Sequence, residues 1–156
     1  MGDIVTDDEL LYRCIFCGLN KYYSIEQSGL KLSSQAFTDR NQAPSVDRVK
    51  LCGNDPKYTQ KNSDDGIVSL VAGQIRAIDS IVQKDSKGNP LFVYKIDVHP
   101  RPTADNPAHA QIEPSPDYAS KGTFRKVAEK LAWLATERVK NQGWEIEPCE
   151  LRYETS

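Results

Sequence analysis

The sequence predicts an α+β fold, a small and mainly antiparallel sheet packed against a C-terminal amphipathic helix. Two observations carry this. Phe124, Val127, Ala128, Leu131, Ala132, Leu134, Ala135 and Val139 recur at spacings of three and four, the apolar stripe of a helix over 123–142. Upstream, Leu10–Phe16, Ile67–Val82 and Leu91–Val98 are rich in β-branched and aromatic residues and are separated by polar, turn-forming strings. With 156 residues, 38% hydrophobic and 27% charged, the chain can bury one core without staples.

Residues 1–9 are acidic and polar, and they read as a flexible N-terminus without the basic and apolar regions of a signal peptide. A single domain is expected over 10–143. Its first element, Leu10–Phe16, has the crowded apolar character of a buried strand. Asn54–Gly66 holds Asn-Asp-Pro and Asn-Ser-Asp-Asp-Gly and reads as an exposed loop. Ile67–Val82 and Leu91–Val98 are expected to pair as a hairpin around Asp85–Pro90. Gly73 then marks a bulge or a close backbone approach. The rival is a helix over Ile67–Ile78, because Ile67, Val71, Ile75 and Ile78 also fit helical spacing. Pro100, Pro102, Pro107, Pro114 and Pro116 leave Ala108–Ile112 as a short extended piece. Strand geometry puts Ala108, Ala110 and Ile112 on one face, and His109 and Gln111 on the other. Gly143 stops the closing helix, and 144–156 is expected to be an extension or an edge strand.

Composition and motif content exclude several chemistries. The net charge of −2 lacks the basic excess of a nucleic-acid binder. Ile67–Ile78, the longest mainly apolar run, is too short and too polar to span a bilayer. There is no phosphate-binding glycine loop, no His-Glu-x-x-His and no EF-hand loop. The aromatics do not interleave with basic residues as on an RNA-recognition sheet. Lys121, Arg125, Lys126 and Lys130 read as a solvated helix face.

Cys14-Ile-Phe-Cys17 is the most conspicuous motif. Zinc needs about four ligands, and the other cysteines, Cys52 and Cys149, stand alone. A strand over Leu10–Phe16 also turns Cys14 and Cys17 to opposite faces. A redox pair would need a helix after the strand, where Gly18 and Asn20 stand. Free thiols in a reducing, cytoplasmic compartment are therefore the expectation, with no metal and no cofactor; a small zinc-stabilised interaction domain is an alternative. His109 lies between small alanines in a proline-rich loop, and an imidazole suits acid–base work or hydrogen bonding. Against that stands a histidine that merely ties loops together. Ser33-Ser34, Ser45 and Asp47 supply hydroxyls and a carboxylate, but without a Gly-x-Ser-x-Gly elbow they read equally as caps of turns.

Leu11-Tyr12-Arg13, Ser33-Ser34-Gln35-Ala36-Phe37-Thr38-Asp39, Ser45-Val46-Asp47 and Asn106-Pro107-Ala108-His109-Ala110 together resemble a group of short uncharacterised prokaryotic proteins with LYR, SSxAFxD, SVD and NPAHA strings. The Cys14/Cys17 pair and the tail after Gly143 depart from that pattern. The resemblance implies that Arg13, Ser33, Ser34, Asp39, Asp47, Asn106 and His109 converge on one polar binding surface, with no catalytic residue assigned. The expected function is a non-enzymatic binding or adaptor module, an accessory component of a prokaryotic multi-protein defence or signalling system. Its partner would be a protein or a small polar ligand, with neither a membrane nor a nucleic acid involved. The enzymatic alternative is a transferase acting on a nucleotide-like ligand. Arg13, Ser33-Ser34 and Glu145-Ile-Glu147 stand in the order of an Arg, a Ser and a Glu-x-Glu, loosely similar to ADP-ribosyltransferases.

Overall fold

The computed structural model describes residues 4–79, 81–115 and 121–152. Met1–Asp3, Pro116 and the end of the tail from Tyr153 lie outside the described residues. The strands are β1 (Leu10–Ile15), β2 (Tyr23–Glu26), β3 (Gly29–Leu32), β4 (Ser45–Arg48), β5 (Gly66–Val71), β6 (Val82–Lys84), β7 (Pro90–Val93), β8 (Lys95–Pro100) and β9 (His109–Ser115). Helix α1 (Ala72–Arg76) follows β5, and α2 (Lys121–Gln142) and α3 (Cys149–Arg152) close the chain. A five-stranded sheet runs in the order β5-β1-β4-β9-β8, antiparallel throughout.

The fold is α+β, as the two sequence patterns require. Val127, Ala128, Leu131 and Ala135 of α2 are fully buried and share one core with Leu11, Ile15, Val46, Val68, Leu70, Ala110 and Ile112 of the sheet. A smaller cluster of Tyr12, Val49, Cys52, Ile67 and Ala108 forms separately. The β9 alternation is realised: Ala108, Ala110 and Ile112 are buried, while His109 and Gln111 are partly open.

Ile67–Val82 and Leu91–Val98 do not form one long hairpin. β5 pairs with β1, β8 pairs with β9, and the two lie at opposite edges of the main sheet. Only the tip forms as expected, a separate two-stranded β6–β7 ribbon. There Asp85 Oδ1 accepts from the amides of Lys87 (2.9 Å) and Asn89 (2.8 Å). The two rival patterns in Ile67–Ile78 are both used, with strand up to Val71 and helix from Ala72 to Arg76. Gly73 lies in the helix rather than in a strand, yet the close approach is real. Its amide donates to Asp7 O at 2.7 Å, and a Cβ there would stand 2.9 Å from that oxygen.

Both ends of the described chain are tied to this frame. Val5 is buried, and Glu9 makes a two-pronged ion pair with Arg48 at 2.6 and 3.0 Å. Beyond α2, Ile146 forms an isolated bridge with Ile67 on the outer edge of β5. Leu151 of α3 joins the main core.

Candidate functional site

Arg13, Asp39, Asp47, Asn106 and His109 line one cleft of about 530 Å³, together with Ser45, Tyr22, Phe16 and the cations Lys21, Arg40 and Lys61. The paired register of β1 and β4 runs Leu11–Arg48 and Tyr12–Asp47. Beyond it Arg13 reaches across to the start of β4. Its Nε donates to Ala36 O (3.1 Å), and Nη2 to Ala36 O (2.6 Å) and Asp39 Oδ1 (2.7 Å). Nη1 donates to Asp39 Oδ2 (3.2 Å) and Ser45 O (2.9 Å). Every guanidinium N–H is thereby committed within the protein, and the Phe37 ring lies 5.3 Å below the guanidinium carbon. Arg13 builds the wall of the cleft.

Asp47 and Asn106 are also tied to the protein. Asp47, 6% exposed, accepts from Asn106 Nδ2 (2.9 Å) and Thr59 Oγ1 (2.7 Å). Asn106 Oδ1 accepts from Tyr58 Oη (2.7 Å) and the Ala108 amide (3.1 Å), so both ends of the amide have fixed roles. This network seats the proline-rich loop on β4 and satisfies a buried carboxylate that would otherwise be costly.

His109 is held at both ring nitrogens. Nδ1 lies 2.9 Å from Arg101 O, and Nε2 lies 3.2 Å from Ser45 Oγ. Because a carbonyl oxygen only accepts, Nδ1 carries the proton, and Nε2 of the neutral ring presents its lone pair to the serine hydroxyl. Ser45 faces Gln111 across the β4–β9 pair and Asp47 faces His109. Ser45 and His109 are therefore diagonal neighbours on one face of the sheet.

Ser33 and Ser34 do not join this cleft. They line a second one, of about 710 Å³, between the β2–β3 hairpin and α2. Ser33 Oγ accepts from the Gln35 amide at 3.1 Å and caps the short 3-10 turn Ser34–Phe37, the capping role open to it from sequence. Glu145 and Glu147 line neither cleft. They flank Ile146 on the outer edge of β5, with β5 standing between them and β1. Arg13, Ser33-Ser34 and Glu145-Ile-Glu147 thus fall in three places.

The cysteines part company. Cys14 Sγ donates to Asp65 at 3.5 Å, and burial first, then the Asp65 carboxylate, pushes its thiol up to about 11. Cys17 Sγ donates to Glu150 at 3.2 Å, and Glu150 also accepts from the buried Tyr23 hydroxyl. Among the described residues no three His, Cys, Asp or Glu side chains gather as a metal site. No helix among them is long and apolar enough to cross a membrane.

Sequence reasoning missed the cations of the cleft. Lys21, Arg40 and Lys61 take part in no ion pair among the described residues. Lys21 Nζ lies 5.0 Å from the Tyr22 ring centroid, and Tyr22 packs edge-on to Phe16 with centroids 5.9 Å apart. Isolated lysines and arginines in polar strings carry no signal that separates a cleft from ordinary solvated surface. No protein-family model, curated protein or solved structure matches this chain.

Proposed function

We propose that the chain is a binding module whose cleft takes a small anionic ligand bearing a planar group. One observation carries this reading. The cleft holds four cations against two carboxylates, and both carboxylates are already engaged by Arg13, Asn106 and Thr59. Lys21, Arg40 and Lys61 are left to face a ligand, within a chain whose net charge is −2. Phe16, 45% exposed, and Tyr22 supply an aromatic edge on which a planar ring can pack.

The experiment uses adenosine 5′-monophosphate, adenosine and inorganic phosphate as probes, read by calorimetry and by thermal shift. Adenosine monophosphate should bind and stabilise, by about 2.7 kcal/mol at a hundred times its dissociation constant. Adenosine should bind far more weakly, and Arg40→Ala with Lys61→Ala should abolish the difference at unchanged stability. Equal binding of adenosine, or undiminished binding by the double variant, would refute the reading.

A further inference from the structure

We propose that Ser45 is an activated nucleophile, with His109 as its general base, for acyl transfer from a carboxylic ester bound in the cleft. Four features of the geometry lead there. The Ser45 hydroxyl lies 3.2 Å from His109 Nε2, the ring nitrogen that bears no proton when the imidazole is neutral. The imidazole is oriented from behind, as Nδ1–H donates to Arg101 O at 2.9 Å and the Arg101 amide donates in turn to His109 O at 2.9 Å. The Ser45 backbone is pinned on both sides: its amide donates to Asp39 Oδ2 at 3.0 Å, and its carbonyl accepts from Arg13 at 2.9 Å. Both residues line the cleft, so the pair faces ligand-accessible space rather than packed interior.

In the reaction, the Ser45 Oγ–acyl carbon bond forms as the Oγ proton passes to Nε2. The ester C–O bond then breaks, and the proton moves from Nε2 to the departing alkoxide, which leaves as an alcohol. Water, deprotonated by the same imidazole, hydrolyses the acyl-serine and regenerates Ser45. Arg40 and Lys61, in the same cleft, supply positive charge for the oxyanion of the tetrahedral intermediate. Asp47 is not the orienting acid of a triad, because Asn106 and Thr59 hold its carboxylate. The orienting group is a neutral carbonyl, which fixes the tautomer but stabilises an imidazolium less than a carboxylate does. A slow nucleophile follows.

The Ser45–His109 pair does not depend on which anion Lys21, Arg40 and Lys61 bind, and its test is separate. The full chain is incubated with a fluorophosphonate probe and the labelled peptide is identified by mass. A single adduct on Ser45 is expected, absent in Ser45→Ala. His109→Asn keeps a donor toward Arg101 O but removes the base, and should slow labelling by about 100-fold. A wild-type chain that gains no adduct on Ser45 overturns the proposal, whether or not the variants fold. So does labelling at an unchanged rate in folded His109→Asn, which would make the pair structural. Binding of adenosine monophosphate without labelling would leave the anion reading standing and remove this one.

Discussion

Replacing Arg13 by Gln should damage the fold before it damages any ligand contact. The side chain is 11% exposed and its partner Asp39 20%, so the pair lies between the surface and interior limits. Surface pairs contribute up to about 1 kcal/mol, and breaking a buried one costs about 3–5 kcal/mol. The substitution also strips charged donors from Ala36 O and Ser45 O. A loss of about 3 kcal/mol follows, each charged hydrogen bond adding about 1.5–3 kcal/mol before the replacement amide recovers some of it. In urea, with a slope of about 2 kcal/mol/M, the midpoint should fall by about 1.5 M. Asp39→Asn should cost less, because an amide oxygen can still accept from Arg13 or from the Ser45 amide. The double variant should be less destabilised than the two single losses added together, by about 1 kcal/mol or more, since the residues share their hydrogen bonds. A loss below about 1 kcal/mol for Arg13→Gln, or strict additivity, would refute the view of Arg13 as wall rather than ligand anchor.

Leu131→Ala, at a fully buried position of α2, should cost about 2–5 kcal/mol in the same urea titration. Burial raises the Glu9 carboxyl, but the Arg48 hydrogen bond and the Thr6 amide outweigh it and hold the group below its ordinary 4.5. Its contribution is therefore complete above 4.5 and is lost as the pH falls through the lower folded value, a pH dependence that Glu9→Gln should remove. Cys14 and Cys52, both pushed up to about 11 with burial the first cause, should resist iodoacetamide at neutral pH until urea unfolds the chain; rapid native alkylation would contradict this. Gly66→Ala should cost about 1–3 kcal/mol, because its Cβ would stand 2.7 Å from Pro148 Cγ and 2.9 Å from the Trp144 ring. Protease digestion should then cut the tail first.

The elements that sequence pattern identifies are those in which one periodicity has no rival. The α2 stripe and the Ala108–Ile112 alternation are of that kind. Ile67–Ile78 fits two periods at once, and pattern cannot divide it at Val71, where strand gives way to the helix that Gly73 ties to Asp7 O. Arg13, Asp39, Asp47, Asn106 and His109 line one cleft because β4 lies between β1 and β9 in the sheet and the loops before β4 and β9 return to it. Ser33-Ser34 takes the other role its hydroxyls offered in sequence, Ser33 capping the turn after β3, and both line the second cleft. The partner of each donor is likewise invisible in sequence, because hydrogen bonds such as Arg13–Asp39 span 26 residues.

That invisibility affects the choice of functional residues. A strongly polar residue in a cleft attracts a binding assignment, yet every Arg13 donor, both Asp47 oxygens and both ends of the Asn106 amide are already hydrogen-bonded within the protein. A ligand would have to break one of the Arg13 bonds to form its own there, and the exchange leaves little net gain. Arg40 and Lys61 take part in no ion pair among the described residues and give up water and flexibility, so binding free energy is available to them, whereas Lys21 also sits over the Tyr22 ring. Substituting Arg13, Asp47 or Asn106 should abolish binding by loosening the frame, whereas substituting Arg40 and Lys61 should abolish it at full stability. Residues whose loss lowers affinity without moving the urea midpoint are the ones that touch the ligand.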